Sequence, residues 1–371
     1  MSEVARAAVL GACALFALPA AAAPPLPPGE DASGFTQALS VRPFEFPQDH
    51  GPHRDFRQEW WYLTGNLDAA DGERFGFELT FFRVALQPPA PAAGASAWRS
   101  SEIYMAHFAV TDVARQRFRF AQKLSRAALD LAGAQTPPLR VWIDDWSLTA
   151  NVQASEWRVH AAEAGYQLDL QLAPQTAPVL NGAAGLSRKG AAPGAASYYY
   201  SLPRLAAHGR LLREGRALEV SGLAWLDREW GSGGLGAGQE GWDWFALQLS
   251  DGSALMFYAL RDRGGGRDAY SAGTFVPRDG PARPLASADV DIAVNGAWRN
   301  ANGERYPARW RVRVPQLALD VEVQPLLADQ ELKTTPVYWE GAVAVSGTRG
   351  GARVSGRGYV ELVGYGERAH P

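Results

Sequence analysis

The chain has 371 residues, 47% of them hydrophobic, and a formal net charge of −3. That length suits two domains, each with enough apolar residues to build its own core. Acidic and basic residues are scattered rather than blocked, which excludes the basic face that nucleic acid requires and a polybasic patch for anionic membranes. Thirteen Trp stand against three Met, and large rings with one N–H donor favour barrels, sandwiches and ligand cavities over helical bundles.

Residues 1–23 read as a secretory signal: Arg6 opens it, residues 7–18 are apolar, and Ala21-Ala22-Ala23 offers the cleavage site. The apolar run is shorter than the ~20 residues that cross a bilayer. A periplasmic protein is therefore expected. Cys13 follows Leu10-Gly11-Ala12 as a lipoprotein signal would arrange it, but the apolar run before it is short, and lipidation is the lesser reading. With Cys13 removed the mature chain has no thiol, so disulfides, a thiolate nucleophile and cysteine-bound metal are excluded, and neither metal nor cofactor is expected. Residues 24–40 read as a Pro-rich tether outside any core.

Residues 41–230 form the first expected β-domain. Trp61-Tyr62-Leu63-Thr64 and Phe75-Gly76-Phe77-Glu78-Leu79-Thr80-Phe81-Phe82 are strand-like runs separated by Asp71-Gly72, a hairpin signal. Similar runs recur at 104–110, 117–120, 141–146, 157–160 and 166–172, with one candidate helix at 123–131. The Gly-rich stretch 231–239 is the expected linker, and 240–366 the second β-domain. Glu59-Trp60-Trp61-Tyr62, an Asp-Gly turn and an apolar strand ending at Arg83 are echoed by Gly241-Trp242-Asp243-Trp244-Phe245, Asp251-Gly252 and a strand ending at Arg261. This weak repeat predicts two related β-domains side by side, an all-β fold.

Several of these motifs, in order from about residue 45 to 366, resemble the carotenoid 1,2-hydratase (hydroxyneurosporene synthase) and AttH-like family. They are Glu59-Trp60-Trp61-Tyr62-Leu63-Thr64-Gly65, Tyr104-Met105-Ala106-His107-Phe108, Gly185-Leu186-Ser187-Arg188-Lys189-Gly190, Tyr198-Tyr199-Tyr200-Ser201, Asp227-Arg228-Glu229-Trp230-Gly231, and Tyr338-Trp339-Glu340-Gly341 with Gly358-Tyr359-Val360-Glu361-Leu362. The resemblance implies two lipocalin-like β-barrel domains. The family includes carotenoid hydratases, secreted hydrolases and proteins of unassigned role. Where the hydratases read Asp-His-Asn-Trp this chain has Arg228 in place of His, and the downstream strand keeps Tyr258 but lacks their Asp. Alkene hydration needs a positioned proton donor, which an arginine is not.

Asp227 and Glu229 lead the candidate catalytic residues. Strand alternation puts them on one face and Arg228 and Trp230 on the other. They fit either an acid–base pair or a domain-junction ion pair with arginine. His107 is a third candidate, set against a buried structural histidine. Trp60, Trp61, Trp242 and Trp244 are candidate ligand-binding residues, one of each pair facing in and one out, with Trp230 and Tyr200 beside them. His50 and His53, near Asp49 and Asp55, lack a strong metal-ligand spacing. No Gly-x-Ser-x-Gly elbow supports a serine hydrolase. Three functions fit: an exported protein that binds or processes an apolar lipid or isoprenoid, a hydratase-type enzyme, and a scaffold in an envelope transport complex.

Overall fold

The computed structural model describes residues 29–89, 100–163 and 165–366, and the expected signal segment lies outside them. Among the described residues thirteen strands form a first antiparallel sheet, eleven along its path and two, Val179–Leu180 and Leu186–Arg188, paired off it with Ala196–Arg213. Its path runs Arg117–Arg126, Glu102–Asp112, Arg74–Ala85, Gln58–Ala69, Arg216–Gly231, Ala196–Arg213, Tyr166–Pro174, Trp157–Glu163, Trp146–Ala150, Leu139–Ile143, Ala132–Gln135. Among the described residues ten strands form a second, running Arg283–Ala286, Ala272–Val276, Ala254–Asp262, Gln239–Leu249, Ala352–Val363, Tyr338–Arg349, Leu319–Pro325, Arg305–Val314, Asp291–Arg299, with Glu331–Leu332 paired off the path with Tyr338–Arg349. Both are barrel-like, and the fold is all-β. Among the described residues the helical elements are three short 3₁₀ turns.

The two Asp-Gly turns close hairpins as read, with Gly72 and Gly252 both at φ 87°, where side chains are strained. In each copy of the repeat the arginine ending the second strand reaches back to an acid opening the first: Arg83 Nε to Glu59, and Arg261 Nε to Asp243 at 3.0 Å.

Two expectations fail. Residues 123–131 are not a helix: the strand Arg117–Arg126 stays in register with its neighbour as far as the Ile103–Arg126 pair, and the chain then turns through Leu129 and Asp130, both at positive φ. The described part of the expected tether is not free of the core. Phe35 is fully buried beneath the Arg57 guanidinium, 4.6 Å from its ring centre, and Asp31 pairs with Arg57 at 2.8 Å.

Alternation along the central strands gives every sheet an inner face and a second face turned toward the other sheet. In the first sheet Trp61, Leu63, Phe77, Leu79, Phe81, Phe108, Leu226 and Trp230 fill the interior. In the second, Phe245, Leu247, Phe257, Trp339 and Val360 do the same. The second faces meet in a separate cluster built from Tyr62, Tyr199, Trp225, Trp244, Met256, Tyr258 and Tyr359. Gly76 permits this close approach, since a Cβ there would lie 2.5 Å from Ala342 Cβ and 2.6 Å from Tyr359 Oη. Asn66, Thr111 and Gln248 tie the sheets by hydrogen bonds to Gly358, Gln330 and the Pro203 and Ala224 carbonyls.

Candidate active site

The junction between the sheets collects carboxylates that have no arginine partner. Glu78 comes from the middle of Arg74–Ala85, alternating with Phe77 and Leu79, so its side chain leaves the apolar core and enters the junction. Glu340 comes from Tyr338–Arg349 in the same way, alternating with the core residue Trp339. Both are fully buried.

Their hydrogen bonds are one-sided. Glu78 Oε1 accepts from Thr80 Oγ1 at 2.8 Å and from Tyr338 Oη at 3.0 Å. Glu340 Oε1 accepts from Tyr62 Oη at 2.6 Å. Oε2 of each has no hydrogen-bond partner among the described residues. Burial pushes Glu78 up to about 7 against the pull of its two donors. Burial, with the Glu78 and Glu361 charges nearby, holds Glu340 well above the ordinary carboxylate range. A proton on either acid therefore sits on the oxygen that nothing else engages, the arrangement of a ready donor.

His107 supports this arrangement. Its Nδ1 lies 2.7 Å from Tyr338 Oη and its Nε2 accepts from Gln122 Nε2 at 3.1 Å. Because Tyr338 spends its only proton on Glu78, His107 donates from Nδ1, and the row Gln122, His107, Tyr338, Glu78 has one direction. Burial holds the imidazole down at about 3, so it stays neutral at ordinary pH.

Asp227 and Glu229 share the junction face, as alternation requires, beside Tyr62 and Trp60 in register. Asp227 has both oxygens engaged: Oδ1 accepts from Ser201 Oγ at 2.5 Å and Trp225 Nε1 at 2.7 Å, and Oδ2 from Tyr199 Oη. Burial raises it to about 7 despite these donors. Glu229 is bonded to Ser197 and Lys189. Neither pairs with an arginine. Glu361, which accepts from Trp242 Nε1 at 3.0 Å, is pushed up to about 8, mainly by burial. Half-buried Trp60, Phe82, Met105 and Trp242 form the rim of the junction.

Three candidate ligand-binding residues are placed elsewhere. Trp61, Tyr200 and Trp230 project into the first sheet's interior, one residue out of phase with the junction. There Trp230 stacks on His53 at 3.7 Å, Tyr200 meets His50 Nδ1 at 2.5 Å, and Trp61 donates to the His50 carbonyl at 2.9 Å. The tyrosine of that run that reaches the junction is Tyr199, which accepts from Trp244 Nε1 at 3.2 Å. Trp60 and Trp61 do face opposite ways. Trp242 and Trp244 do not: two residues apart on a strand, they share the junction face.

Arg228 also points away from the junction. It is fully buried, 3.9 Å over the Trp61 ring, bonded to Glu59 Oε2 at 2.7 Å and to the carbonyls of His50, Gly51 and Trp60. Burial would raise Glu59, but Arg228 and Arg83 outweigh it and hold that carboxylate well below its ordinary range. His53 belongs to the same network, through Asp49 at 3.0 Å and Glu59 at 3.4 Å. Among the described residues no group of three or more His, Cys, Asp or Glu is arranged to hold a metal ion. A separate shallow groove of about 330 Å³, lined in part by Ile103, Leu124 and Leu129, contains none of the junction acids.

Residues 37–365 match the AttH-like family profile. The chain belongs to the AttH-like family. The crystal structure of an AttH from Nitrosomonas europaea is 37% identical, with a TM-score of 0.79 over 89% of this chain and 100% of that one. Kievitone hydratase from Nectria haematococca, at 17% identity, shares the fold with a TM-score of 0.65 over 91% of this chain and 98% of its own. By sequence this AttH-like protein is 27% identical over 237 residues to the dehydratase asqC of Emericella nidulans, covering 58% of this chain and 63% of that protein. It is 22% identical over 225 residues to kievitone hydratase of Fusarium solani subsp. phaseoli, covering 58% and 62%. The chain thus spans somewhat less than two thirds of these curated relatives' length.

The junction acids make this AttH-like protein's stability depend on pH. Glu78 and Asp227 stand near 7 when folded, against ordinary values of 4.5 and 3.8. Between those limits the folded chain keeps protons that the unfolded chain has released, so stability falls as pH rises. The contribution is full below about pH 4 and is lost as pH climbs through 7. Glu59 and Asp49 are shifted the other way, and theirs fades only in acid. Buried His50 and His107, held down at about 4 and 3, oppose the trend below about pH 6.5, while Glu361, raised to about 8, extends it. The thermal midpoint is expected to drop by at least about 5 °C between about pH 5.5 and 8.5. A flat or rising midpoint by near-ultraviolet circular dichroism would contradict the assigned protonation.

Proposed function

We propose that this AttH-like protein is a hydro-lyase that adds water to, or removes it from, a neutral apolar substrate at the junction of its two sheets. The observation that carries the reading is the pair Glu78 and Glu340, one from each sheet. Each is a buried acid with one oxygen held by a phenol and the other unengaged. In the hydration direction an acid gives its proton to one alkene carbon and the π pair forms the new C–H bond. The cation left on the other carbon is trapped by water, whose surplus proton returns to the carboxylate. Dehydration runs through the same steps in reverse. Electron-rich rings of Trp60, Trp242, Trp244 and Tyr62 around the acids stabilise the cationic stage.

The hydratase and dehydratase among the relatives support this reading over that of a carrier. So does the packing: the interior of the first sheet, where a carrier would hold its cargo, is filled by Trp61, Trp146, Trp157 and Trp230, all essentially unexposed.

The test is incubation of the purified chain in ¹⁸O-labelled water with kievitone and a panel of other aromatic and isoprenoid alkenes and alcohols, followed by mass spectrometry. Incorporation of one labelled oxygen into an alkene substrate, or loss of one water from an alcohol, is the expected result. Complete recovery of unchanged substrates by folded protein would overturn the reading.

A further inference from the structure

That the row Gln122, His107, Tyr338, Glu78 runs toward Glu78 is not fixed by its three buried members. While Glu78 holds a proton, the reverse order fits the same heavy atoms: Glu78 Oε1 donating to Tyr338, Tyr338 to His107 Nδ1, and the imidazole proton on Nε2. In the forward order His107 Nδ1 donates to Tyr338 at 2.7 Å and Tyr338 to Glu78 Oε1 at 3.0 Å. The carboxyl proton is then left on Oε2. Only what meets His107 Nε2 separates the two orders.

Gln122 meets it. This half-buried residue lies opposite His107 in register, on Arg117–Arg126, the end strand of the first sheet's path. Its amide is held by groups that can only accept. Nε2 is 3.0 Å from the Thr335 carbonyl oxygen, just before the strand Tyr338–Arg349, and 2.9 Å from Met105 Sδ. The atom that approaches His107 Nε2 at 3.1 Å is therefore the NH₂ group and not the amide oxygen. A donor at that place requires Nε2 without a proton. Burial keeps the imidazole neutral, so its one ring proton lies on Nδ1 and the forward order follows. The row thus leaves the second sheet's chain at Thr335, crosses Gln122 and His107 of the first sheet, and returns at Tyr338.

We propose that Gln122 is a positioning residue that sets the tautomer of His107 and thereby keeps the Glu78 proton on Oε2, the oxygen free to give it up. The inference rests on the hydro-lyase reading for its purpose, since that reading makes Glu78 a donor. Reversing the row would commit the same proton to Tyr338. The test does not depend on that reading.

The experiment is long-range ¹H–¹⁵N correlation of the full chain, labelled at histidine, without substrate and below the pH of about 7 at which Glu78 releases its proton. Gln122→Lys sets beside His107 Nε2 a side chain that can only donate, and Gln122→Glu one whose carboxylate accepts. The His107 signals are identified by their absence from His107→Gln. Wild type and Gln122→Lys are expected to show the proton on Nδ1 with Nε2 bare. Gln122→Glu is expected to show a proton on Nε2. A merely structural role would not give opposite signatures in two replacements of the same exposed end. A proton on Nε2 in wild type, or a bare Nε2 in Gln122→Glu, overturns the proposal. Should the charged variants fail to fold, Gln122→Met is expected to lose the single Nδ1-protonated form, and its undiminished retention overturns the proposal instead. In the labelled-water assay kcat is expected to be about tenfold or more lower in Gln122→Glu than in Gln122→Lys, with KM alike. Equal kcat in variants of opposite tautomer would remove the positioning role. Because the tautomers are read without substrate, their failure is distinct from failure of the hydro-lyase reading.

Discussion

Exchange of Glu78 for glutamine is expected to lower turnover about 100- to 10,000-fold while leaving the fold intact, the range usual for loss of a general acid. The substitution is unusually clean at this position. Glutamine keeps an oxygen to accept from Thr80 and Tyr338, and its amide takes the place of Oε2, which engages nothing among the described residues. No hydrogen bond is broken and no charge is left alone; only the transferable proton is gone. Glu340→Gln offers the same test from the other sheet, keeping the contact with Tyr62. Turnover per folded molecule within threefold of wild type in both variants would remove the acids from the reaction.

Replacing Arg228 with methionine is expected to destabilise the protein by about 3–5 kcal/mol, the cost of breaking a buried ion pair by removing one partner. Glu59 would lose the closer contact to its Oε2, and the carbonyls of His50, Gly51 and Trp60 would lose a donor in a space without exposure. Arg83 still reaches Glu59, so one charge partner remains. Urea unfolding measures the difference, and a loss below about 1 kcal/mol would show that the network does not hold the first sheet's interior together. Because Arg228 faces the interior, the fraction that folds is expected to keep its activity. The arginine that stands where the hydratases carry histidine thus removes nothing from the junction.

Much of the architecture was legible as alternation. The hairpins, the change of sheet between Gly231 and Gln239, and the opposed faces of Asp227 and Arg228 all follow from a period of two and from turn chemistry. The site itself was less so, for one physical reason. A strand such as Phe77-Glu78-Leu79-Thr80 reads as core on one side and solvent on the other, because in a single sheet the polar side is wet. Here that side is covered by a second sheet. Taken one at a time, Glu78, Glu340 and Glu361 therefore carry no sequence signal that separates them from acids on a wet strand face. The available signal was a carboxylate in the middle of a long aromatic strand, repeated in both domains. Tyr200 was preferred to Tyr199 because parity within a tyrosine run cannot be set without a neighbouring strand to give the register. His107 reads from the sequence as either a catalytic or a buried structural histidine; its link to Tyr338 spans 231 residues and no local pattern carries it.

The close seating of Gly76 against Ala342 and Tyr359 bears on how such a protein can be made and lost. Glu78 and Glu340 belong to different sheets, so the proposed chemistry belongs to neither half and requires both. Without the second sheet over it, Glu78 would face water, where it would be an ordinary glutamate. Docking removes that water and turns it into a proton donor. On the proposed reading, competence requires the two sheets to stay docked, and any event that separates them is expected to abolish it.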